Sequence, residues 1–244
     1  MTRFLLRPVR DSEMETIYRW RNEPRVRQVM PYSREIDLEA HRRWWPLALA
    51  DPSRRMLILE DRSRPVATVV FTELRAGVSA NWGFYTAPHR EISKAKALTA
   101  WIACEVAAIF YAFEILRLDA LDCDALPSNT AVLRSCDKAG FETIGEKSLA
   151  AGKPPFIEKR LTRAGYENQP RCSLFARLNE IAILPDTRDE AATTNAPPEL
   201  PGMPRARFVA RAGDRGVEKG RKGVSLTPFP FSPFSHAGGS RASR

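Results

Sequence analysis

Residues 97–116, ALTAWIACEVAAIFYAFEIL, constrain the fold of this chain more than any other segment. An apolar run of that length forms either a membrane span or the central helix of a packed domain. Glu105 decides between them. Near the centre of a bilayer a carboxylate costs roughly 2.5–3.5 kcal/mol on insertion scales, and Glu114 adds a second charge. Strand-like segments lie on both sides of the run, so the expectation is a buried helix covering a sheet, with no membrane association.

The flanking sequence supplies that sheet. Residues 4–7 read as an opening strand. Ser12 with Glu15 forms a capping box for a helix whose apolar face is Met14, Ile17 and Tyr18. That helix should end near Asn22, because Pro24 disfavours a helical conformation at Glu23. Asp37 is a candidate N-cap for a second helix over 38–50, carrying His41, Trp44, Trp45 and Leu47. Strand signals follow at 56–60, 66–73 and 79–85, then the long helix over 93–116 and a strand at 118–122. Ser128 caps a short helix that stops at Gly140, and 141–147 and 156–161 form a last pair of strands. The order β-α-α-β-β-β-α-β-α-β-β predicts an α/β (α+β) domain over residues 1–165. In it, helices flank a mixed, largely antiparallel sheet.

Beyond residue 165 the texture changes. Residues 185–244 hold 8 Pro and 7 Gly, with ten Lys/Arg against six Asp/Glu and no sustained periodicity. Such a segment buries too little apolar surface to offset its ordering entropy, so 166–244 is expected to be a disordered basic tail, with a helical turn or two over 172–184. The whole chain of 244 residues carries a net charge of +9, which favours anionic partners. Nucleic acid is not expected, because aromatic and basic residues do not interleave in the tail as a stacking platform requires. Cys104, Cys123, Cys136 and Cys172 form no CxxC or Cys/His ligand spacing, so neither a metal site nor a disulfide framework is expected. With no signal-peptide pattern at the N-terminus, a reducing cytoplasm is the expected compartment.

The most informative stretch for chemistry is 81–95, NWGFYTAPHREISKA, in which a strand turns into the long helix. Such a turn presents backbone N–H groups and the positive helix end to an anion, and a pyrophosphate suits it. Arg90 and Lys94 add charge. An ordinary connection with solvent-facing basic residues would read the same way.

The pattern Arg90-x-x-Ser93-x-Ala95 resembles the coenzyme A loop of the GNAT acetyltransferases, Q/R-x-x-G-x-G/A. The preceding strand, the long helix and the later Asn129…Gly140-Phe141 follow the order of that family. The opening Trp20-Arg21-Asn22, Pro24, Val26-Arg27, Met30, His41 and Trp44 is similar to one subgroup, as are Phe71-Thr72-Glu73-Leu74 and Trp82-Gly83-Phe84-Tyr85. That subgroup contains the UDP-amino-sugar N-acetyltransferase of pseudaminic acid biosynthesis. The resemblance covers residues 3–148.

The resemblance implies direct acetyl transfer from acetyl-coenzyme A, without a metal, to the amine of a UDP-linked amino sugar. It leaves a homodimer open. Backbone at Phe84 and Tyr85 would bind the pantetheine arm, and Ile92, Ser93, Lys94 and Ala95, helped by Arg90, would hold the pyrophosphate. Asn129 would touch the arm near its reactive end. Arg21, Asn22 and His41 would grip the acceptor, although His41 reads equally well as a packing partner of Trp44 and Trp45.

Three positions depart from the family. Ser93 replaces a usual glycine, Asn81 stands where glutamate is common, and Cys136 stands where a tyrosine commonly donates a proton. Asn81 cannot serve as a general base, which leaves Glu73 on the neighbouring strand as the candidate, although it reads also as a solvent-facing strand end. Cys136 is either a thiol donor or a small buried apolar residue. Two alternatives stay open. One is acetylation of a protein N-terminus or small amine, and the other is a catalytically degenerate coenzyme A-binding module.

Overall fold

The long apolar run is helical and buried. The computed structural model describes residues 3–148, 154–168 and 181–189. In it, helix α4 spans Lys94–Phe110 and continues as a π-helical turn, Tyr111–Ile115. Its apolar window is 72% buried inside the protein, so the length that would cross a bilayer crosses a sheet instead. Ala97, Ala100, Ala103, Ala107 and Ala108 are all buried, and their small side chains let the helix lie close against the strands. Glu105 is satisfied within the protein, because Ser135 Oγ donates to its Oε2 at 2.8 Å.

The sheet has eight strands. They are β1 (Phe4–Pro8), β2 (Arg55–Asp61), β3 (Arg64–Arg75), β4 (Ser79–Thr86), β5 (Ala120–Ala125), β6 (Glu142–Lys147), β7 (Phe156–Thr162) and β8 (Ile181–Ile183). Their spatial order is β6-β7-β5-β4-β3-β2-β1-β8, and every pair is antiparallel except β4/β5 and β1/β8. The other helices are α1 (Met14–Arg21), α2 (Pro24–Arg27), α3 (Leu38–Ala50), α5 (Thr130–Lys138) and α6 (Arg163–Glu167). Successive β4 residues show which face each helix covers. Phe84 meets Trp101 of α4 edge-on, ring centroids 4.7 Å apart. Tyr85, pointing the other way, lies within electrostatic range of Arg21 on α1. The expected mixed, largely antiparallel sheet between helices is therefore what forms.

Local signals explain most element ends, with a few shifts. Asp37 caps α3, accepting from Ala40 N at 2.9 Å. Gly140, at φ +78°, closes α5 in the left-handed region as a C-terminal glycine should. Pro24 begins α2 as well as ending α1, because the first helical position has no use for its missing N–H. The N-cap of α5 is Asn129, not Ser128. The expected Ser12–Glu15 box is displaced: Arg10 N donates to Glu13 Oε2 at 2.7 Å, and a 3-10 turn, Asp11–Glu13, precedes α1. The cause lies in Arg7, which draws Glu13 into a buried ion cluster with Nη2 2.5 Å from both Glu13 Oε1 and Glu60 Oε1.

The domain boundary expected at 165 falls short. The described part of 172–184 includes a strand, where a helical turn was expected. Strand β8 pairs parallel with β1, Phe4 opposite Ile181 and Leu6 opposite Ile183, and so covers an edge of β1 that would otherwise lie open. Six residues on, Asp189 accepts from Arg55 Nε and Nη2 at 2.9 and 2.7 Å and from the Tyr111 hydroxyl at 2.8 Å. Tyr111 opens the π-helical turn, and its hydroxyl also accepts from Asp186 N. Residues 190–244, where disorder is expected, lie outside the described residues, as does Cys172.

Candidate active site

The site begins where two parallel strands part. β4 and β5 pair through Ser79–Ala120, Ala80–Leu121 and Asn81–Asp122, and there the pairing ends. Both strands run on, β4 to Thr86 and β5 to Ala125. β4 remains bound to β3 as far as Thr86, so beyond Asn81 only its β5-facing edge is left to hydrogen-bond elsewhere. Into the gap opens a pocket lined among others by Gly83, Phe84, Tyr85, Trp101, Asn129 and Cys136. A free strand edge is suited to an amide-bearing chain lying alongside it. Phe84, Tyr85 and Asn129, expected along the cofactor arm, all line this pocket.

The anion-binding turn is only partly as expected. Ser93 caps α4, its hydroxyl accepting from Lys96 N at 3.3 Å, with φ −65° and ψ 157°. That is ordinary extended backbone, so the conformation here does not call for glycine. Ser93, Lys94 and Ala95 stand exposed at the N-terminus of a 17-residue helix, where the helix dipole favours an anion. Ile92 contributes less, because its side chain is buried and its N–H is donated to Pro88 O at 3.1 Å. Arg90 is ion-paired with Glu23, which ties the turn to the start of α2. Arg25 strengthens that tie, its Nη2 donating to Ala87 O at 2.7 Å.

The three acceptor candidates separate. Asn22 spends its amide on the backbone of Ile36, donating to its O at 3.0 Å and accepting from its N at 2.8 Å, so it pins the segment between α2 and α3. His41 packs between Tyr18, Trp44 and Trp45, with ring centroids 5.5, 5.2 and 5.9 Å away, and is not among the pocket-lining residues. Burial pushes its pKa down to about 4, so it is a neutral packing residue. Arg21 remains. Like His41 it is not among the pocket-lining residues, but its buried guanidinium is within electrostatic range of Tyr85, which is, and of Arg27, and its Nη2 donates to Tyr32 O at 2.9 Å. Desolvation, with Arg27 assisting, lowers its pKa.

The catalytic candidates also separate. Glu73 sits in a bulge of β3 at φ +53°, exposed and outside the pocket. The irregularity between Thr72 and Arg75 turns it from the face that strand alternation assigns it. Asn81 is buried, and its Nδ2 donates to Asp124 Oδ2 at 2.7 Å. Cys136 lines the pocket with its Sγ 3.7 Å from that of Cys123, and both are free thiols. The Cys136 bond and burial push the Cys123 thiol well up.

Two pocket carboxyls were not anticipated. Burial raises the pKa of Glu105, with Ser135 opposing, and that of Asp124, with Lys147 and Asn81 opposing. The sequence pattern ends this strand at residue 122, whereas β5 continues to Ala125 and so carries Asp124 into the pocket. Among the described residues no cluster of three or more His, Cys, Asp or Glu is placed to hold a metal ion.

The comparisons with known proteins agree with this geometry. The family model described as "Acetyltransferase (GNAT) domain" matches residues 3–142. No curated protein sequence matches the chain significantly. Among solved structures, the spermidine N-acetyltransferase of Vibrio cholerae in complex with CoA and spermine is similar, at TM-score 0.58 and 16% identity. That match covers 68% of this chain and 99% of the other. AAC(6')-Ib in complex with ribostamycin and coenzyme A matches at TM-score 0.56 and 19% identity, covering 70% of this chain and 99% of the other. The Campylobacter jejuni N-acetyltransferase PseH matches at TM-score 0.49 and 18% identity, covering 66% and 98%. A parted pair of parallel strands beside an anion-binding helix start, in a chain matched by that family model over most of its domain, leads to one assignment. The chain belongs to the GNAT acetyltransferase family and is an acetyl-CoA-dependent N-acetyltransferase.

Proposed function

We propose that the acceptor is the amine of a nucleotide-linked amino sugar, such as a UDP-linked deoxy-amino sugar. The observation that supports this reading is Arg21. Its Nη1 is buried without a hydrogen-bond partner, and so is Nε of Arg27, the neighbouring cation that lowers the pKa of Arg21. An unpaired buried guanidinium N–H is costly, and a diphosphate oxygen is the acceptor that relieves it with a charge-assisted bond. The same pair of cations repels a polyamine. On this reading the diphosphate rests against α1 and α2 while the sugar amine reaches the gap between β4 and β5.

Transfer is direct. The amine nitrogen attacks the thioester carbonyl, the C–N bond forms, the C–S bond breaks, and the thiolate leaves with a proton. The β4 edge beyond Asn81 supplies backbone donors for the oxyanion in a water-poor cleft. Trp82 Nε1, buried in the pocket wall without a partner, is a further donor there.

Coenzyme A release should be measured with acetyl-CoA and a panel comprising a UDP-4-amino-4,6-dideoxy sugar, spermidine, ribostamycin and a peptide with a free N-terminus. Release with the nucleotide sugar alone is expected. Equal or greater release with spermidine would refute the role given to Arg21.

A further inference from the structure

We infer that Asp124 accepts the proton of the substrate ammonium, with Asn81 holding its carboxylate in place. Asp124 and Gly83 each stand two residues beyond the last paired positions of β5 and β4, Asp122 and Asn81. Strand alternation puts Asn81, Gly83 and Asp124 on one face of the sheet, together with Tyr85, which faces Arg21. That is the face of the acceptor-side helices. Gly83 has no side chain, so the space opposite Asp124 is pocket, which both residues line. Asp124 is only 6% exposed, and Asn81 Nδ2 fixes one of its oxygens at 2.7 Å. Asn81 Oδ1 is buried with no hydrogen-bond partner, so an amide oxygen and a carboxylate stand together with accepting capacity to spare. An ammonium donates in two or more directions and suits that pair.

The groups facing Asp124 come from several elements: Asn81 on β4, Lys147 on β6 with Nζ 3.4 Å from Oδ2, and Glu158 on β7. Glu105 on α4 and Cys136 on α5 line the same pocket. Burial is the largest influence and holds the carboxyl above the ordinary aspartate range, which brings it closer to an amine's needs. In the step itself the ammonium passes one proton to Asp124, and the neutral amine attacks the thioester carbonyl. As the C–S bond breaks, the second amine proton goes to the departing thiolate. Asp124 then returns its proton to solvent, so the reaction yields amide, thiol and one released proton.

This inference rests on amine acetylation, though not on which amine is used, and its test has a readout independent of turnover. Full-length protein with 13C-labelled aspartate carboxyls is titrated by NMR, the Asp124 signal being the one lost in Asp124→Asn. That amide is the same shape and keeps an oxygen for Asn81. Titration above the ordinary aspartate range is expected, moving further up in Lys147→Met, which removes a cation that favours the charged form. An ordinary titration would overturn the assignment even if no acceptor has been found. With the UDP-4-amino-4,6-dideoxy sugar, or whichever of spermidine and ribostamycin turns over, Asp124→Asn should lower kcat/KM by about 10²–10⁴-fold and abolish its acid limb. KM for acetyl-CoA should not change. Asn81→Ala, which removes a hydrogen bond to the charged carboxylate, should lower kcat and move the acid limb to higher pH. Glu73→Gln should match wild type. Full activity in Asp124→Asn, or loss of activity in Glu73→Gln, would overturn the inference.

Discussion

Truncating the chain after residue 168, near the boundary its composition suggests, should destabilise the domain through one buried charge. Arg55 has a side chain only 9% exposed, and Asp189, at 5%, is its ion-pair partner. Asp189 also accepts from the buried Tyr111 hydroxyl. Removing one partner of a buried pair typically costs about 3–5 kcal/mol, because the other charge is left uncompensated. For a domain of this size that corresponds to a fall in Tm of roughly 6–20 °C. Thermal unfolding followed by circular dichroism should show this drop in Asp189→Ala. The chain cut after residue 168 should lose at least as much, since it also loses buried Ile181 and Ile183. A chain cut after residue 195 should melt with the full chain. Adding Arg55→Met to Asp189→Ala should recover most of the loss, because the orphaned guanidinium is then gone. If the cut after residue 168 melts with the full chain, or the double variant recovers nothing, the reasoning fails.

Other consequences are simpler to check. Arg21→Met should raise KM for the UDP-amino sugar by about 10–100-fold, the worth of a charge-assisted bond, without changing acetyl-CoA affinity by calorimetry. Unchanged sugar KM would remove Arg21 from the acceptor site. His41 is held neutral in the fold, its pKa near 4 against about 6.5 when unfolded. A base depressed in this way costs stability as pH falls from 6.5 to 4, here by about 3 kcal/mol, and His41→Gln should flatten that part of the urea-stability profile. An identical slope in the variant would contradict the assignment. Ser93→Ala should cost about 1 kcal/mol through loss of the α4 cap, whereas Ser93→Gly should cost only a few tenths and leave acetyl-CoA affinity intact.

What could be read from the sequence follows from the range of the forces involved. Residues 97–116 are legible as a buried helix because one charge at a given depth decides the matter. Strands β2 to β4 are legible because each is long enough to show its own texture. β8 is not: three residues carry no periodicity, and its partner β1 lies at the far end of the chain. Asp189 is equally hidden, being 134 residues from Arg55. In the site, Phe84, Tyr85 and Asn129 are named by the family resemblance and not by local periodicity, and all three line the pocket. Glu73 misleads because a bulge breaks the alternation that would have aimed it inward. Asp124 needs a register across two parallel strands, and this emerges only once β4 and β5 are paired.

The central claim is acetyl transfer to a sugar amine at the gap between β4 and β5. A single reaction tests it most directly: the full-length protein, acetyl-CoA and a UDP-4-amino-4,6-dideoxy sugar, with free thiol and N-acetylated sugar both quantified over time. The two products should rise together in equal amounts. Thiol release without acetylated sugar, or no release at all from protein that binds acetyl-CoA, would contradict the account.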